Sequence, residues 1–460
     1  MKQQGERSRR RFLKTSSMLG LAVAFNPSRI LADSESEITE KDNLAQTSAA
    51  QQSSQTSDKE AIRPFRWNFS EAQLTTLRKR INETNWPQRE LVSDASQGVQ
   101  LATMQKLARY WGTDYNWRTG EAKLKAVPHF ITEIDGLDIH FIHVRSKHEN
   151  ALPVIVTHGW PGSIIEQLKI IDPLTNPTSH GGKVEDAFDV VIPSLPGYGF
   201  SGKPTTIGWE PARIAKAWIT LMKRLGYDKF VAQGGDWGNA ISENMGLIAP
   251  PELLAIHTNM PAAVPSEISK ALASGTAPGG LSAEEKNAYE QLDFFYKKGL
   301  GYANEMALRP QTLYGIVDSP VGLASWILDH DSQSYDLIAR VFDGHAEGLT
   351  RDDILDNITL YWLTNTGITS ARLYWESRQG AKRGFFDPRN VQIPVAVSVF
   401  PQEIYAAPQN WVERAYPKLI YFNRLPKGCH FAAWEQPQFV TEELRAAFRS
   451  LRGQSQSSAA

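Results

Sequence analysis

Residues 228–245 place a short apolar strand, a glycine-flanked turn and a helix in direct succession, and that order admits few folds. Asp228-Lys229-Phe230-Val231-Ala232 reads as a buried strand, and Asn239-Ala240-Ile241-Ser242-Glu243-Asn244-Met245 as the helix after it. Between them lies Gln233-Gly234-Gly235-Asp236-Trp237-Gly238. The three glycines permit strained dihedrals and a close approach of strand to helix, so the side chain at 236 should stand out at the carboxyl end of a sheet. This is the form of a nucleophile elbow with a carboxylate in place of the usual hydroxyl. Attack by an aspartate would leave an alkyl ester, where a serine would leave an acyl ester. Taken alone, the same residues also read as a surface Gly-Asp turn, so the assignment depends on what the rest of the chain supplies.

From residue 152 the pattern repeats as strand, glycine turn and helix, which argues an α/β layer with a mostly parallel sheet. Candidate strands are 154–157, 189–192, 230–233, 254–257, 395–399 and 419–422. Between His257 and Pro394 the strand rhythm stops, and residues 264–383 read as a helical, aromatic-rich lid over the carboxyl ends of the strands. Upstream, Ser70 caps a helix with Leu74, Leu77 and Ile81 on one face, a second helix spans Leu101 to Trp111, and a hairpin turns at Asp135-Gly136. His140 and His143 fall on opposite faces of the second hairpin strand and read as solvated or packing residues. No internal repeat and no transmembrane run is found.

The N-terminus reads as an address. Ser8-Arg9-Arg10-Arg11-Phe12-Leu13-Lys14 has the twin-arginine form, followed by an apolar run from Met18 to Phe25 that is too short to span a bilayer. The expected signal covers residues 1–32, cut after Ala32, with a disordered linker over 33–60 rich in Ser, Gln and Thr. Its removal takes seven of the 49 basic residues and one of the 50 acidic, leaving a net charge of −7. A mildly acidic chain is a poor partner for nucleic acid or anionic membranes. Cys429 is the only cysteine, so an internal disulfide is excluded.

The loop His158-Gly159-Trp160-Pro161-Gly162-Ser163 follows the strand ending at Thr157, where one half of an oxyanion hole would sit. Its donors would be the backbone N–H groups of Trp160 and of Trp237, since Pro161 has none. Clearing an ester needs a base to activate water and an acid to orient that base. Both follow in the order nucleophile, acid, histidine. His430, on the loop before the last helix, would be the base. Glu403, after the strand at 395–399, would be its orienting carboxylate, with Glu413 and Glu435 as competing candidates.

The motifs H-G-W-P-G-S at 158–163, G-G-D-W-G at 234–238, D-S-P-V-G-L-A at 318–324, F-P-x-E at 400–403 and G-x-H-F-A-A at 428–433 together resemble the microsomal-type epoxide hydrolases, including the insect juvenile hormone epoxide hydrolases. The resemblance covers about residues 62–450. It implies an α/β-hydrolase fold with an N-terminal extension over 61–150, a core split into 151–263 and 384–455, and the lid between them. It also implies two lid tyrosines that donate hydrogen bonds to the epoxide oxygen. The matching positions are Tyr374 and Tyr302, with Tyr296 and Tyr314 near the latter. Cys429 departs from the glycine usual before the histidine. The expected reaction turns an apolar epoxide and water into a vicinal diol with no cofactor or metal. A haloalkane dehalogenase is the enzymatic alternative, and a ligand-binding homologue without turnover is the other. The export machinery is the expected protein partner, and a homo-oligomer is left open.

Overall fold

The computed structural model describes residues 59–345, 347–380 and 383–452. The twin-arginine segment and nearly all of the linker lie outside the described residues. Nine strands form one sheet: β1 (Arg63–Pro64), β2 (His129–Ile134), β3 (Leu137–Val144), β4 (Leu152–Thr157), β5 (Phe188–Pro193), β6 (Phe230–Gly234), β7 (Leu253–Thr258), β8 (Val395–Val399) and β9 (Leu419–Arg424). Their order across the sheet is β1-β2-β3-β5-β4-β6-β7-β8-β9. The first four pair antiparallel, and every pair from β5 to β9 is parallel. Strands covered by helices on both faces need apolar side chains on both, and β6 and β8 are buried at every position.

The chain leaves β4 toward β5 on one side and returns to β6 on the other. The carboxyl ends of β4 and β6, paired from Val154 with Val231 to Thr157 with Gly234, therefore lie side by side while their connections diverge. This is the crevice where open α/β sheets bind ligands. The helix after β6 spans Trp237–Ile248, two residues earlier than its apolar period suggests, because Asp236 itself occupies the capping position.

Helices from Ser266 to Gly380 fill the interval between β7 and β8 and roof the crevice. The N-terminal extension contributes both a hairpin to the sheet and helices to the roof. Ser70 caps the helix Glu71–Asn82 with a reciprocal Gln73 bond. A further helix, Trp117–Lys125, escapes the periodicity because it is short and carries Gly120. That glycine is forced: a Cβ there would stand 2.1 Å from the Asp356 carboxylate of the roof. The hairpin histidines are packing residues, His140 being fully buried between His129 (2.8 Å) and Ser194 (2.9 Å), while His143 bonds Tyr227 (2.8 Å).

The elbow is built by absent side chains. A Cβ on Gly238 would lie 2.0 Å from the Thr157 carbonyl oxygen, and one on Gly234 would lie 2.1 Å from the Gly238 backbone. Gly238→Ala should therefore force the helix from the sheet and destabilise the chain by about 1–3 kcal/mol or more. A urea melt showing an unchanged midpoint would contradict that contact.

Candidate active site

Asp236 adopts φ 51° and ψ −127°, a left-handed conformation unusual for a side chain larger than glycine and costing of order 1–3 kcal/mol. The turn aims its carboxylate at the loop after β4. There the Trp160 N–H donates to Asp236 Oδ1 at 2.8 Å. Gly159 allows this approach, since a Cβ on it would stand 2.4 Å from the same oxygen. The Trp237 N–H opens the following helix and so has no intrahelical acceptor, and the positive end of that helix favours negative charge at 236.

On the opposite flank, His430 Nε2 lies 3.9 Å from Asp236 Oδ2. Its Nδ1 meets Glu403 Oε1 at 2.5 Å. Glu403 is fixed in turn by the Ile404 N–H (2.8 Å) and the Asn259 amide (3.2 Å). Of the competing carboxylates, Glu435 accepts the Cys429 N–H and Glu413 accepts from Gln409 on the surface, so neither meets His430. Burial alone would pull the His430 imidazole down. The Glu403 and Asp236 carboxylates, with Asp331 beyond, outweigh it and raise the group to about 10.

Tyr302 and Tyr374 are both buried and line, with Asp236 and Trp237, a pocket of about 560 Å³ under the roof. Tyr302 stacks on Trp160 at 5.0 Å, and Tyr374 stands edge-on to Trp237 at 4.7 Å. The Tyr374 hydroxyl has no hydrogen-bond partner among the described residues. Burial, reinforced by the Asp236 charge, holds both phenols far above their ordinary range, so they stay protonated as donors. Tyr314 is exposed and Tyr296 lies at the outer wall.

One residue at this site has no sequence signal. His330 sits six residues past D-S-P-V-G-L-A, its Nδ1 on Asp331 (2.9 Å) and its ring 4.6 Å from that of His430. Asp236, His330 and His430 bring one potential ligand atom each within 4.8 Å of one another, the donor types of a metal centre.

Residues 62–167 match the epoxide hydrolase N-terminus family and residues 153–383 the α/β hydrolase fold family. The sequence is 49% identical over 395 residues to a protein of Stigmatella aurantiaca, covering 85% of this chain and 86% of that one. It is 35% identical over 400 residues to epoxide hydrolase 1 of Oryctolagus cuniculus, covering 84% and 88%. The chain belongs to the epoxide hydrolase family. Among solved structures, juvenile hormone epoxide hydrolase from Bombyx mori superposes with a TM-score of 0.75 at 30% identity, covering 86% of this chain and 96% of that one. This epoxide hydrolase thus has the α/β-hydrolase fold with its N-terminal extension.

The raised His430 value carries a stability consequence. Because it exceeds the unfolded value near 6.5, the imidazolium contributes fully below that pH, and the contribution is lost as pH rises to about 10. The gap in urea midpoint between the parent and His430→Gln should narrow over that window. A gap that widens with pH would reverse the assignment.

Proposed function

We propose that this epoxide hydrolase works through a covalent aspartyl ester, with an apolar epoxide as substrate and a vicinal diol as product. The observation that carries the reading is one pocket holding Asp236, with its Oδ1 on the Trp160 N–H, together with two buried phenols. With Oδ1 so held, Oδ2 attacks an epoxide carbon. Tyr302 and Tyr374 donate to the ring oxygen, which becomes the hydroxyl of a hydroxyalkyl ester. Water then attacks Asp236 Cγ and gives a proton to His430 Nε2. Oδ1 carries the oxyanion at the N–H groups of Trp160 and Trp237. Collapse breaks the Cγ–Oδ2 bond, and the leaving alkoxide takes its proton from His430.

Charge couples the two halves. In the free enzyme His430 is an imidazolium beside two carboxylates, which suits neutralising Asp236 and not accepting a proton. Alkylation removes the Asp236 charge and lowers the imidazole, whose proton goes to restore the phenol that protonated the ring oxygen; Nε2 is then free to act as base, with Glu403 orienting the ring.

Asp236→Ala should abolish turnover, and His430→Gln should slow ester hydrolysis by about 10²–10⁴-fold so that the adduct accumulates. Intact-protein mass spectrometry after exposure to styrene oxide reads both. The absence of any adduct in His430→Gln would sink the covalent scheme. The dehalogenase reading shares the aspartate, but phenols are the acids an epoxide oxygen needs. Halide release from a bromoalkane, faster than diol formation from styrene oxide, would restore it.

The twin-arginine form of residues 8–14 supports export of the folded chain to the extracytoplasmic side. Arg9 and Arg10 replaced by lysine should hold the enzyme in the cytoplasm, as cell fractionation would show.

A further inference from the structure

Two cavities meet at Asp236, the only described residue that lines both of them. One is the apolar pocket under the roof, and the other lies on the His430 side, within the sheet's carboxyl end. This second cavity measures about 30 Å³, room for one or two water molecules. Its walls are polar in a specific way. Glu166, Gln167, Gln233 and His257 all line it and all are buried, and each carries one side-chain atom (Glu166 Oε2, Gln167 Oε1, Gln233 Oε1, His257 Nδ1) with no hydrogen-bond partner among the described residues. Buried polar atoms left unpaired cost about 1–3 kcal/mol each, so four around one space mark a ligand with several donors.

The bonds each side chain does make fix what it offers. Ser398 donates to Glu443 (2.5 Å), so His257 donates its Nε2–H to Ser398 (2.9 Å) and presents Nδ1 as an acceptor. Gln167 donates its amide to Glu166 Oε1 (2.5 Å) and presents its oxygen. Gln233 donates to Asn259 (3.3 Å), the residue that also holds Glu403, and presents its oxygen. Burial lifts the Glu166 carboxyl to about 8, with the Gln167 bond opposing, so near neutrality it is largely an acid able to donate as well as accept. Three acceptors and one acid suit water and little else.

We propose that this cavity stores the hydrolytic water and that Glu166 is the positioning residue that presents it between His430 and the ester carbon of Asp236. The role explains the second glycine of H-G-W-P-G-S, because a Cβ on Gly162 would stand 1.7 Å from Glu166 Oε2 and displace the carboxyl. The inference rests on the covalent reading above: epoxide fills the roofed side while water reaches the same carboxyl group from the other.

The test is a single turnover of styrene oxide by the full chain, quenched at timed intervals and read by intact-protein mass spectrometry. Glu166→Ala should form the ester at a rate within about twofold of the parent and clear it about tenfold or more slowly. Glu166→Gln, which keeps both a donor and an acceptor, should recover most of that loss. Equal slowing of both steps would mean a merely structural role, and parental clearance in Glu166→Ala would remove Glu166 from the mechanism. Should Glu166→Ala fail to fold, Gln233→Leu reads the same split with the same outcomes. Failure of the covalent reading is distinguishable, since then no variant, His430→Gln included, would carry an adduct.

Discussion

Everything at the site depends on how closely the helix after β6 meets the end of β4. Two glycines, 234 and 238, let backbone lie against backbone where any side chain would collide. That contact fixes the turn between them, and the turn forces Asp236 into its left-handed conformation. The strain persists because β6 is buried along its whole length and pairs with strands on both sides. Neighbouring strands then deliver the Trp160 N–H to the carboxylate with no further adjustment. The pre-organised donor is thus a product of strand order.

The placement of the candidate site residues was legible where it is tied to strand ends. Asp236, Trp160, Glu403 and His430 follow β6, β4, β8 and β9, and the glycine and proline punctuation that ends a strand is local information. Choosing among Glu403, Glu413 and Glu435 needed the third dimension, because all three lie within a few tens of residues of His430 and only packing selects one. His330 and Glu166 left no signal at all. Each sits on or beside a helix whose periodicity reports burial, and burial says nothing of what a polar atom faces. The Trp117–Lys125 helix was lost for a related reason: Gly120, a poor helix former, stands where a carboxylate from the roof needs space.

Electrostatics at the site run on exchange. Two carboxylates flank one imidazolium, so the cluster in the free enzyme is only partly compensated, at a site where all three side chains are buried. The phenols across the pocket are kept neutral by the same burial. Under the proposed covalent scheme, loss of the Asp236 charge would lower proton affinity at His430.

The roof is fastened to the machinery beneath it. Its helix Arg351–Thr364 reaches down through Asn357 to the Pro161 carbonyl (2.9 Å) and through Tyr361 to the Gly162 carbonyl (2.7 Å). From above, the same helix is gripped by Tyr115 and Lys123 on Asp356 and by Trp111 on Thr359, all from the N-terminal extension. The extension thereby braces that loop through the helix between them. Trimming this protein to its hydrolase core would slacken the loop whose Trp160 N–H holds the Asp236 carboxylate, so the extra segment belongs with the architecture of the site and not with its ornaments.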